Sequence, residues 1–142
     1  MRRLVALVAA GLGLAACGST TPASALASWV SQSGFIANSR TLVGDARHAA
    51  SALRRADASA GQLHLVCAVL LVDTESLNAS LPTPDATTTQ LLSRAYTLLG
   101  EGANLCYRAA GSVPRRAVAL GKLSAGAAAL SEAEARVANA GG

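Results

Sequence analysis

Leucine, alanine and valine recur every three or four residues through most of the chain, and this spacing limits the fold more than any other feature. The longest run comprises Ala117, Leu120, Leu123, Ala127, Leu130, Ala133 and Val137. Such spacing places apolar side chains along one side of an α-helix. The Asn-Gly and Asp-Gly dipeptides that commonly close β-hairpins are absent from the sequence. We therefore predict an all-α fold.

Breaks in this pattern divide the chain into four predicted helices. They cover about residues 30–56, 59–79, 84–109 and 112–139. Helices of this length joined by short loops favour an antiparallel up-down four-helix bundle. We therefore assign residues 30–139 to one bundle domain.

Two of the predicted helix starts carry recognisable caps. Ser59 is followed three residues later by Gln62, which is a capping-box pattern. At the break before the third helix, we expect Thr83 to be the N-cap, Pro84 the first helical residue and Asp85 an acidic residue in the first turn.

The N-terminus has the organisation of an export signal. Arg2 and Arg3 precede an uncharged stretch, residues 4–14, made of Leu, Val, Ala and Gly. This stretch has the length of a signal-peptide core and is too short to span a bilayer core of about 30 Å. It ends in Leu-Ala-Ala-Cys, with the cysteine at position 17, followed by Gly18.

This ending resembles the lipobox of bacterial lipoproteins. The resemblance covers residues 1–18 only. It implies that the chain is cut after residue 16, that Cys17 carries a diacylglyceryl group, and that the protein is anchored on the extracytoplasmic face of the cell membrane. Residues 17–29 are then the lipidated cysteine and a flexible tether, since this segment is rich in small and polar residues.

The charge balance gives no reason to expect nucleic-acid binding. The chain has 12 Lys and Arg against 8 Asp and Glu, and loss of Arg2 and Arg3 with the signal leaves 10 against 8, a net charge of +2. No segment concentrates basic residues in the way that a nucleic-acid surface requires.

Two cysteines remain after Cys17 is assigned to the lipid. Because export leads to an oxidising compartment, we predict a disulfide between Cys67 and Cys106. It would join the second and third helices and close a loop of about 40 residues, worth about 4 kcal/mol in the chain-entropy treatment. To bring the two cysteines level, we expect the second helix to end early, with residues 78–81 extended.

No residue pattern indicates catalysis, a metal or a cofactor. His48 and His64 are the only histidines, and their spacing matches no metal-ligand motif. A metal site would need them to converge with Asp45, Asp57 or Asp73. Acidic pairs such as Asp73 and Glu75 are two residues apart and so point in different directions on a helix. We predict a non-enzymatic protein with no cofactor.

The second predicted helix is apolar on two opposite sides. Between Leu63 and Val72, His64 is the one residue that is not apolar. A helix of this kind normally buries only one face. The second stripe comprises Leu65, Val69 and Val72. Either Trp29, Phe35 or the first helix covers this stripe, or it is an exposed surface for an envelope protein or for self-association.

Three functions are compatible with these features. We expect a binding or structural module of the cell envelope. A carrier of a small apolar ligand or lipid is the alternative, although frequent alanine brings helices close together and leaves little room for a cavity. A cell-envelope hydrolase is the second alternative and would need a pocket with convergent polar groups.

Overall fold

The computed structural model of the chain describes residues 21–140, and every regular element within that range is an α-helix. The elements are α1 (Pro22–Gln32), α2 (Phe35–Arg54), α3 (Ala60–Asn78), α4 (Ala86–Tyr107) and α5 (Val113–Ala140). The all-α prediction is confirmed for these residues, which hold five helices where we predicted four. The predicted signal peptide and Cys17 lie outside the described residues.

The additional helix, α1, occupies most of the segment that we assigned to the tether. Thr21 is its N-cap, and the Thr21 side chain accepts a hydrogen bond from the Ser24 amide at 3.2 Å. Pro22 follows as the first helical residue, where a missing amide proton has no cost. Leu26 is buried and fixes the helix to the rest of the domain. Residues 22–29 are therefore helical in the structure.

Gly34 separates α1 from α2. Its φ angle is +63°, a left-handed conformation that glycine adopts without steric cost. The Asn38 side chain donates a hydrogen bond to the Ser33 carbonyl at 2.9 Å across this junction. The helix that we predicted over residues 30–56 is thus divided at Gly34, and its main part begins at Phe35.

The start of α3 follows the predicted capping box. The Ser59 side chain accepts a hydrogen bond from the Gln62 amide at 3.2 Å, and the Ser59 amide donates to the Gln62 side chain at 3.0 Å. The helix ends at Asn78, and residues 79–85 are not helical.

The start of α4 differs from the prediction by two residues. Asp85, not Thr83, is the N-cap, and its carboxylate accepts hydrogen bonds from the Thr88 amide at 2.9 Å and the Thr88 hydroxyl at 2.6 Å. The same carboxylate contacts the Arg136 guanidinium at 3.1 Å. These partners, Arg136 first, hold the pKa of Asp85 well below its ordinary value. Asp85 is preferred because a carboxylate can cap the helix and pair with α5 at once.

The core lies between α2, α3, α4 and α5. The α4–α5 interface is the most extensive, whereas α3 contacts α2 and α4 but neither α1 nor α5. The largest fully buried apolar side chains are leucines: Leu42, Leu63, Leu70, Leu92, Leu99 and Leu130. α1 packs on α2 and α5, at a distance from α3.

Glycine allows α4 and α5 to approach closely. A Cβ atom placed on Gly126 would lie 2.9 Å from the backbone nitrogen of Leu99. A Cβ atom placed on Gly102 would lie 3.1 Å from the backbone nitrogen of Leu123. Each glycine is therefore in contact with a leucine of the opposite helix. A residue with a side chain at either glycine position would require a shift of the backbone.

Cys67 and Cys106 lie at disulfide distance. Their Cα atoms are 5.8 Å apart, and both side chains are fully buried between α3 and α4. This separation is within the range that a disulfide requires. The expectation that the second helix ends early, with residues 78–81 extended, is wrong: Asn78 is still helical, and residues 79 and 80 form a turn closed by the Ser80 amide on the Leu77 carbonyl.

Candidate partner surface

The second apolar stripe of α3 is exposed. The exposed fraction is 68% for Leu65, 45% for Val69 and 63% for Val72. Trp29 and Phe35, which we considered as a cover, pack against each other with ring centroids 5.5 Å apart, and Phe35 is buried in the core. Neither these aromatic residues nor α1 covers the stripe.

The two sides of α3 carry two parallel rows of residues. The row that packs into the core, here called the inner seam, comprises Leu63, Cys67, Leu70 and Thr74, all buried. The row on the opposite side, here called the outer seam, comprises Gln62, Leu65, Val69, Val72 and Ser76, all exposed. Both rows alternate steps of three and four residues, which is the spacing of a helix–helix contact.

The length and composition of α3 would also suit a membrane span. Within residues 21–140 it is the one helix that meets both conditions, and 22% of its apolar stretch is buried. The inner seam nevertheless packs in the core, and Cys67 lies at disulfide distance from Cys106. In this fold α3 is therefore a core helix with an unusually apolar outer face.

An aromatic pair borders the outer seam at its N-terminal end. His64 stacks on Tyr107 with ring centroids 4.3 Å apart and an interplanar angle of 15°. Tyr107 is 43% exposed and extends the surface from α3 to the end of α4. Sequence reasoning missed this contact, although pairing Cys67 with Cys106 places residues 64 and 107 at the same level.

A groove of about 550 Å³ lies beside the outer seam, between α3 and α4. Its apolar floor includes Leu71, Tyr96 and Leu105, and its walls carry Glu75, Asn78, Thr97, Glu101, Asn104 and Arg108. Burial raises the pKa of Tyr96 to about 12, with a smaller effect from Glu134. Because the groove is open to solvent and charged and polar side chains line its edges, it differs from the enclosed cavity that a lipid carrier needs.

Asp45 and Asp73 form a carboxyl pair between α2 and α3. Burial, followed by the neighbouring Asp73 carboxyl group, raises the pKa of Asp45, and the nearby His48 acts in the opposite direction. The Oδ2 atom of Asp45 is buried and has no hydrogen-bond partner among residues 21–140.

The pair is not completed into a metal or catalytic site by the histidines. His64 is on the exposed side of α3 and stacks on Tyr107, so the two histidines do not converge. In the part of the chain that the structure describes, no group of three or more His, Cys, Asp and Glu side chains could hold a metal ion.

Similarity to known proteins adds no further constraint. No protein-family model matches the chain, and no curated protein or solved structure is significantly similar to it.

Proposed function

We propose that this protein is an exported lipoprotein, anchored through Cys17 to the outer face of the cell membrane, whose helical domain binds a partner and catalyses no reaction. In this proposal α2 to α5 form an antiparallel up-down four-helix bundle, and α1 connects the bundle to the anchor. The observation that carries the binding function is the exposed apolar outer seam of α3.

Two features support the anchor. The Leu-Ala-Ala-Cys motif stands directly after an uncharged stretch of signal-peptide length. Of the three cysteines, Cys67 and Cys106 are buried at disulfide distance, which leaves Cys17 for a lipid. Attachment so close to α1 would hold the domain beside the membrane, where envelope proteins are concentrated.

The exposure of the outer seam supports a binding function. Large apolar side chains clustered on a surface are favourable to cover, at roughly 1.5–3 kcal/mol for full burial of each Val or Leu. Leu65, Val69 and Val72 are adjacent on one helix face, so one partner helix or strand could cover all three.

The anchor is tested by replacing Cys17 with serine. Cells that express the wild-type protein and take up a labelled lipid precursor should label the protein and retain it in the membrane fraction. Cys17→Ser should be unlabelled and should be lost from the membrane or remain unprocessed. A wild-type protein without label, together with a variant that still partitions fully into membranes, would contradict the anchor.

The binding surface is tested by capture from native membranes with the tagged, lipidated protein. Val69→Asp should abolish capture of its partner, because an ionised carboxylate cannot be buried in an apolar contact at low cost. Val118→Asp is the matched control, since Val118 is 54% exposed on α5, a helix that does not contact α3. Equal capture by wild type and both variants would refute a role for this face.

The carrier alternative has its own test. Native mass spectrometry of freshly isolated protein would show a bound small molecule, and the groove between α3 and α4 is where we would look for it. A ligand that survives Val69→Asp and is lost on substitution of Leu105 would favour the carrier over the binding module.

A further inference from the structure

We propose that the partner of the outer seam is a second copy of this chain, with the two α3 helices parallel and in register. This inference rests on the proposed lipid anchor and specifies its partner. The residues of the outer seam occupy the a and d positions of two heptads, with Gln62, Val69 and Ser76 at a and Leu65 and Val72 at d.

The residues at these positions suit a two-stranded contact between identical helices. A β-branched residue at a with leucine at d favours parallel dimers, and Val69 at a with Leu65 at d matches this pattern, whereas Val72 is a β-branched residue at d. The polar Gln62 and Ser76 stand at the two ends of the seam and would meet their own counterparts. Self-pairing therefore places like residues together along the whole face.

The flanking residues allow this pairing without repulsion. In a parallel pair each g position faces the e position of the next heptad on the other helix. Ala68 would then face Asp73 of the second copy, and Glu75 would face Ser80. No two acidic side chains meet, and small residues at Gly61 and Ala68 permit close approach.

A lipid surface is a poorer occupant of this face. Helices that lie on membranes carry Lys or Arg along their polar side, which attract anionic headgroups. α3 has no Lys or Arg, and its charged residues are Asp73 and Glu75. α3 also makes no contact with α1, so the outer seam lies apart from the helix that leads to the anchor.

The position of the anchor determines the direction of pairing. The start of α1 lies at one end of the domain, where Pro22 shares a surface pocket with Asp85 and Asn139. The stretch from Cys17 to Pro22 spans at most about 18 Å, even when fully extended. α4 begins at this end, beside Asp85, and is about 33 Å long, so Cys106 in its last turn lies at the far end of the domain from the anchor. Two copies anchored at the same end to one membrane would therefore stand side by side in the same direction.

The contact area indicates that pairing depends on the membrane. Each side chain of the seam's apolar centre has on the order of 100 Å² of apolar area, of which about half to two-thirds is exposed. Two copies would then bury about 350 Å² with these side chains, well below the roughly 1,200 Å² of a stable interface. Tethering in one membrane raises the effective concentration and compensates for weak intrinsic affinity.

Variants with one added cysteine test the pairing in native membranes, where Cys17 carries the proposed lipid and Cys67 and Cys106 are buried at disulfide distance. Leu65→Cys and Val72→Cys, each in the lipidated full chain, are treated with a short bismaleimide. In the parallel pair each new thiol lies beside its own counterpart, so both variants should give a covalent dimer of twice the chain mass. Val118→Cys controls for random collision and should give little. Adding Val69→Asp to Leu65→Cys should lower the dimer yield by about tenfold or more, because two carboxylates would face each other in the contact.

Each other result overturns the inference. Yields equal to that of Val118→Cys indicate collision only. A dimer formed only when Leu65→Cys and Val72→Cys are mixed indicates antiparallel pairing. A conjugate of another mass indicates a different protein, and thiols protected from maleimide without a conjugate indicate lipid. The lipid-label experiment tests the anchor independently. If the anchor is absent, the wild-type protein takes up no lipid label, whatever the dimer yield.

Discussion

The close approach of α4 and α5 predicts opposite outcomes for two glycine-to-alanine substitutions in the same helix. A Cβ atom at Gly126 would lie 2.7 Å from Cγ and 2.9 Å from the backbone nitrogen of Leu99. The backbone atom cannot rotate away, so α4 and α5 must separate. At Gly121, also in α5, a Cβ atom would meet nothing within 4 Å.

The expected magnitudes follow from two terms. Alanine in place of glycine stabilises a helix interior by about 0.5–1 kcal/mol. Overpacking of a closely packed contact costs about 1–3 kcal/mol. Gly121→Ala gains only the first term and should raise Tm by about 2–5 °C. Gly126→Ala has both and should lose about 0.5–2 kcal/mol net, which lowers Tm by about 2–10 °C.

The assay is thermal unfolding of both variants and wild type by circular dichroism, with urea unfolding to obtain free energies. The sign of the difference in stability between the two variants is decisive. If Gly126→Ala is as stable as Gly121→Ala, then Gly126 and Leu99 are not in close contact, and α4 and α5 do not pack as closely as the structure shows.

Three further predictions concern charge and covalent linkage. Asp85 has a folded pKa below its ordinary value of 3.8, so its contribution to stability is present above pH 3.8 and is lost as the pH falls through the folded pKa. Asp85→Asn should therefore flatten the acidic part of a plot of unfolding free energy, measured with urea, against pH. An unchanged plot would refute the pairing with Arg136. Asp45 has the opposite sign, because its folded pKa is raised: stability should increase as the pH falls through that value, and Asp45→Asn should stabilise the protein at pH 7, whereas a loss of stability there would contradict the shift. Non-reducing peptide mapping should find Cys67 linked to Cys106, and replacing both with serine should cost about 4 kcal/mol; two free thiols in freshly isolated protein would exclude the bridge.

Much of the helical pattern could be predicted from the sequence because it depends on local signals. The spacing of leucine and alanine located the main helices, and Ser59 with Gln62 located the start of α3 to the residue. Cys67 could be paired with Cys106 because they are the two cysteines that remain once Cys17 is assigned to the lipid. The start of α1 was missed, because the short segment after Cys17 looks like a linker unless Thr21 is recognised as a cap.

Other features depend on tertiary contacts and could not be predicted. Thr83 and Asp85 are both acceptable caps, and the choice depends on Arg136, which is 51 residues away from Asp85. The exposure of the outer seam could not be inferred either, since apolar residues on both sides of a helix are equally compatible with full burial. The contact of Gly126 with Leu99 likewise follows from how α4 and α5 pack.

α3 has one face in the core and, on the opposite side, an apolar face that is exposed. The most direct test of this arrangement compares the melting temperatures of Val69→Asp and Leu70→Asp in the purified mature protein. These neighbouring residues differ in exposure, with Val69 at 45% and Leu70 at 0%. Val69→Asp should change Tm by less than about 2 °C, as a surface substitution does. Leu70→Asp should strongly destabilise the domain or prevent folding, because it buries a carboxylate in the core. A loss of stability in Val69→Asp comparable to that in Leu70→Asp would show that both faces are buried and would contradict the account.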